Sequence, residues 1–188
     1  MKPRANVAKT IEKMMKKLDM RWNQAHRVNQ NGDFKMMIAS PHWMYVLKEE
    51  LLNGVNDAWI ATKKEEQNND IVTKRQWEKV IPDETLRHCS IVVEYSELRK
   101  MQVIENKYGT KIVKFAAAGN VIYLVLQNLI DTFRIFQEPE LTIDLYKSPY
   151  SFKNPRIDKA SGLEVNLQPY TIKANGNIFV GCPMLHGF

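Results

Sequence analysis

From residue 88 onward the chain breaks into short runs rich in β-branched and aromatic side chains, set apart by turn residues, and no other feature constrains the fold as strongly. Residues 90–95, 101–105, 111–115, 121–126, 132–136 and 141–146 read as strands, and 163–167, 170–174 and 177–180 complete the series. Asn175-Gly176, between the last two, supplies the positive φ that a two-residue hairpin loop requires. Helix remains an alternative over 94–104 and 120–136, because short apolar runs do not separate the two states.

The first half reads differently. Val7, Ile11, Met14, Met15, Leu18 and Trp22 recur at helical spacing while Lys9, Lys13, Lys16, Lys17 and Arg21 take other faces, which predicts an amphipathic helix over 5–25. Asn31-Gly32 predicts a reversal ahead of a strand over 34–39. Ser40 as N-cap, Pro41 at the first helical position and Gly54 past the last turn predict a helix over 41–53. The stretch around Lys63, Lys64, Glu65 and Glu66 is polar and aperiodic, an exposed excursion bounded by Trp59 and Trp77. At 188 residues the expectation is one α+β domain, N-terminal helices packed on a mostly antiparallel sheet: a basic amphipathic segment at 1–30, the excursion at 55–80 and a β-rich part at 88–188.

Charge is unevenly placed. Residues 1–30 hold eight Lys or Arg against two acids, and the other 158 residues carry nineteen of each, so the whole net charge of +6 sits on the N-terminal segment. Lys9, Lys13, Lys16, Lys17 and Arg21 are therefore candidates to face nucleic-acid phosphates; a solvated helix face explains them equally well. The longest apolar run, 121–126, is too short to span a bilayer, the N-terminus lacks a secretory pattern, and two cysteines make no disulfide framework. No membrane partner is expected, and a reducing compartment is the simplest home.

Motifs for chemistry are few. There is no phosphate-binding Gly loop, no dinucleotide fingerprint, no zinc-protease helix and no nucleophile elbow. His88, Cys89, Cys182 and His186 are the residue types of a closed zinc site, but neighbours in a strand point to opposite faces, so buried cysteines and ordinary histidines are the preferred reading. Neither cysteine has a recognisable base or oxyanion turn beside it. No catalytic residue, metal or cofactor is expected. The C-terminal Met184, Leu185 and Phe188 are costly to leave in water, which predicts a tail docked on its own sheet or on a neighbouring copy.

Two stretches resemble tailed-phage major capsid proteins of the HK97-like fold. They are the succession of Ile11–Trp22, Asn31-Gly32, residues 34–39 and Ser40-Pro41 with the following helix, and the closing residues 170–183. The resemblance implies a virion protein, a reduced capsid (shell) subunit or an accessory head or neck protein, that assembles with copies of itself and other virion proteins. It also implies location in the virion, and in the host cytoplasm during assembly, with packaged DNA a partner of the basic segment and Met184, Leu185 and Phe188 at the subunit interface. A small DNA-binding regulatory protein using the same helix is the alternative, with an enzyme third.

Overall fold

Alternation along the strands decides which face of the sheet carries the helices. The computed structural model describes residues 6–17, 26–30, 33–40, 42–56, 80–106, 108–148 and 156–183. Over them the chain runs α1 (Val7–Met15), β1 (His26–Gln30), β2 (Asp33–Ser40), β3 (Trp43–Lys48), β4 (Arg87–Glu94), β5 (Val103–Glu105), β6 (Lys111–Ala117), β7 (Asn120–Val125), α2 (Leu126–Phe136), β8 (Glu140–Tyr146), β9 (Glu164–Val165), β10 (Tyr170–Ala174) and β11 (Asn177–Gly181). The architecture is α+β with mostly antiparallel sheets. One sheet has seven strands in the order β1-β2-β3-β11-β10-β8-β4, and the other has four, β5-β6-β7-β9, in which β9 lies parallel to β7.

In the large sheet Met36, Ile38, Tyr45, Leu47, Phe179, Tyr170, Ile172, Leu141, Ile143 and Leu145 face one way and pack on Ile11, Met14 and Met15 of α1 and Leu129, Phe133 and Phe136 of α2. Met44, Val46 and Val180 face the other way, in a separate cluster with Ala39. The strand order is palindromic about the β3–β11 pair: α1 leads into β1, β2 and β3, while α2 leads into β8, β10 and β11. The two halves meet where Tyr45 and Phe179 are direct cross-strand partners, ring centroids 4.7 Å apart. A pseudo-twofold axis thus sets α1 and α2 side by side on one face, and β4 extends only one edge.

Several expectations are corrected. Residues 43–48 of the expected helix form β3, followed by a 3-10 turn, Glu49–Leu52. Trp43, Tyr45 and Val46 favour strand, and β3 is covered on both faces, so its residues read as an unbroken apolar run that periodicity cannot assign. Ser40 caps the β2–β3 turn and no helix: its Oγ accepts from the backbone N–H groups of His42 and Trp43, both at 3.2 Å. Residues 132–136, read as a strand with helix left open over 120–136, are the end of α2, while 120–125 are strand β7. The reversal expected at Asn31-Gly32, the helix beyond residue 17, most of the polar excursion and the tail with Met184, Leu185 and Phe188 lie outside the described residues. The hairpin at Asn175-Gly176 forms, with φ of 48° and 76°.

Helix α2 is held to the sheet by a buried hydroxyl pair. Thr132 Oγ1 donates to the Asn128 carbonyl at 2.7 Å, so the Tyr45 hydroxyl, 2.9 Å away, donates to Thr132. Thr132→Val is expected to cost about 1–3 kcal/mol by leaving that hydroxyl buried without an acceptor, and adding Tyr45→Phe should recover most of the loss. Urea unfolding of the three variants measures both steps.

The small sheet has its own polar clasp. Asp158 accepts from Lys114 at 2.5 Å, from the Ser161 N–H at 2.9 Å, from the Ser161 hydroxyl and from Tyr123 at 2.5 Å, tying the 156–164 loop to β6 and β7. The Lys114 and Ser161 bonds, then that from Tyr123, hold its carboxyl well below the usual carboxylate range, while burial first and Asp158 second push Tyr123 up to about 12. A depressed carboxylate pKa gives stability that is complete above the unfolded value, about 4, and is lost as pH falls below it. Melting temperature should therefore fall more between pH 5 and pH 3 in the unmodified protein than in Asp158→Asn, which should already be less stable at pH 7.

Candidate nucleic-acid interface

Helix α1 begins at Asn6, whose side chain accepts from the Lys9 N–H at 3.0 Å. Burying Ile11, Met14 and Met15 turns Lys9, Lys13, Lys16 and Lys17 outward, where all four are exposed, and the last three lie near the helix C-terminus, where cations suit the dipole. Glu12, the acid of this helix, leans away and accepts from the Asn56 N–H at 3.2 Å. Arg21 lies outside the described residues.

Between α1 and α2 runs a groove of about 540 Å³. Lys9, Lys13 and Lys17 form one wall, Gln127, Asn128, Asp131 and Arg134 the other, and Met14 and Trp43 lie between them. Gln127 donates to Asp131 at 2.8 Å, and Arg134 stands 3.7 Å from the same carboxylate. The α2 wall is therefore close to neutral and α1 carries the positive charge. Such a row of flexible cations can neutralise a polyanion.

Among the described residues the zinc-type side chains are not brought together. Cys89 faces the core side of β4, His88 turns outward to the Ala118 carbonyl (3.3 Å) and Asn120 (3.2 Å), and Cys182 follows β11, three strands away. His186 lies outside the described residues. Burial, and behind it the Asp144 charge, raises the Cys89 thiol above its ordinary range. Gln127, Asp131 and Arg134 escaped the sequence reading; their spacing of four and three residues would have placed them on one face had 126–136 been taken as helix. Trp43, at the start of β3, reaches the groove from the sheet.

Two helices thus lie side by side on one face of a pseudo-twofold antiparallel sheet. Among solved structures, the chain is similar to the DNA polymerase sliding clamps of Caulobacter crescentus (9% identity, TM-score 0.51, 96% of this chain and 63% of that chain) and Pseudomonas aeruginosa (9%, 0.54, 96% and 64%). It is similar also to the DNA polymerase III beta subunit of Thermotoga maritima (10%, 0.50, 96% and 64%). At such identities the likeness is one of fold, and the chain spans less than two thirds of these clamps' length. No family model and no curated protein matches the sequence. The capsid resemblance is thereby overturned, with its virion partners and location: the helix after Ser40-Pro41 on which it rested is a strand, and the neighbours are clamps. The DNA-binding regulator likewise finds no support in them.

Proposed function

We propose that this chain is a clamp-type subunit that closes with copies of itself into a ring around duplex DNA and tethers a DNA polymerase there, holding without chemistry. The observation that carries the reading is the pairing of α1 and α2 on one face of a clamp-like sheet, with Lys9, Lys13, Lys16 and Lys17 exposed on the first of them. In a ring that face lines the hole, where non-specific phosphate contact lets the protein slide. Copies would meet through the ends of the large sheet, β1 and β4; on β4, Val92 is 58% exposed, and a strand end of this kind extends by main-chain pairing. The proposed place of action is DNA in the cytoplasm.

A topological assay tests this. Once loaded, the protein should stay on nicked circular DNA in high salt and run off when the circle is cut. Equal retention on circular and linear DNA would overturn the ring, and so would the absence of retention on either.

A further inference from the structure

We propose that Glu84 is a latch that holds the start of β4 against the large sheet, and that seating or freeing it sets how readily a second copy of this chain adds along that edge. This inference rests on the ring reading and adds a control at its junction. Strand β4 has one neighbour, β8, and its pairing slips between Arg87 and Cys89, so the ladder is weakest where the strand begins. Side chains reinforce it on the face away from the helices. Asp144 of β8, buried there, accepts from Ser90 of β4 at 2.5 Å and from Lys173 of β10 at 3.1 Å, which ties three strands through one carboxylate. Lys173 also donates to Glu84, whose carboxylate accepts from the Tyr146 hydroxyl at 3.0 Å as well. Glu84 opens the 3-10 turn Glu84–Leu86 that runs directly into β4, and Asp83 caps this turn by accepting from the Thr85 N–H at 2.9 Å. Arg87, 3.7 Å from Glu84 and 3.9 Å from Asp144, completes a set of two acids and two bases.

The two acids are not equivalent. Asp144 needs Lys173, because a buried carboxylate without its cation is strongly destabilising, whereas Glu84 is half exposed and can leave while Lys173 stays on Asp144. The bond from Lys173, the largest influence, keeps the Glu84 carboxyl below its ordinary range, so the latch is charged and seated at neutral pH. The frayed start of an edge strand opens with a free energy close to zero. Losing the ion pair therefore leaves it undocked much of the time, and a joining copy must first restore it.

Amide hydrogen exchange, sedimentation velocity over a concentration series and urea unfolding of the unmodified protein, Glu84→Gln and Lys173→Met test this. Glu84→Gln should speed exchange over residues 86–90 about fivefold, the effect of an ion pair half open to solvent. It should also weaken self-association about two- to fivefold and leave the urea midpoint nearly unchanged. Lys173→Met, which orphans Asp144, should lower the midpoint. Unchanged exchange over 86–90 in Glu84→Gln, or faster exchange with undiminished self-association, would overturn the proposal. A midpoint lowered as far as in Lys173→Met would overturn it too, since Glu84 would then be part of the fold and no latch. An unmodified protein that stays monomeric rejects the ring reading and this proposal together, whereas assembly that Glu84→Gln leaves unaltered rejects the latch alone.

Discussion

Phe179→Ala should be the most damaging single truncation, costing about 3–5 kcal/mol, a large part of the stability of a domain this size. Phe179 is fully buried, packs on Tyr45 across the β3–β11 pair and lies 5.9 Å, centroid to centroid, from Tyr170. It stands at the pseudo-twofold axis, where both halves of the sheet and both helices share one core. A cavity there is walled by strands on either side and cannot collapse without parting them. Denaturant unfolding should show the whole transition moved to lower urea with its cooperativity kept. A loss below 1 kcal/mol would mean that the two halves do not depend on this contact.

Gly181→Ala comes next, for the opposite reason. A Cβ at Gly181 would lie 2.6 Å from the Tyr170 ring and hydroxyl and 2.8 Å from the Phe179 ring. Tyr170 is the cross-strand partner of Gly181 and lays its buried ring over the glycine; neither ring has room to withdraw. Overpacking of this kind costs about 1–3 kcal/mol. Because the strain presses on Tyr170, Tyr170→Leu in the same chain should relieve part of it, which a thermal-melting comparison of single and double variants would show. A Gly181→Ala protein as stable as the original would place the Tyr170 ring elsewhere.

Legibility in the sequence followed how each element is buried and capped. Strand β8 was readable because Leu141, Ile143 and Leu145 alternate with Thr142 and Asp144, and the β10–β11 hairpin because Asn175-Gly176 fits only a reversal. Strand β3 was not, since Met44 and Val46 are buried on one face and Tyr45 and Leu47 on the other. Helix α2 was hidden by its ends: Val125 offers no capping side chain, and the left-handed residue that stops it is Gln137 where a glycine would have signalled the end. The same gap halved the candidate site. The lysine wall was visible in the spacing of α1, while the opposing wall lies on a helix that the sequence offered only as an alternative over 120–136. The clamp-like fold lay beyond reach at 8–10% identity to the neighbours, where topology persists and residue patterns do not. A false helix after Ser40-Pro41 then supplied the wrong analogy.

The central claim is a closed ring with the α1–α2 face inside, and electron microscopy of the assembled protein addresses it most directly. The account predicts closed rings with a hole wide enough for duplex DNA, and a gold label attached through Lys13→Cys, in a chain that also carries Cys89→Ala and Cys182→Ser, should appear within that hole. Open filaments, unassembled chains, or rings carrying the label on the outer rim would contradict it.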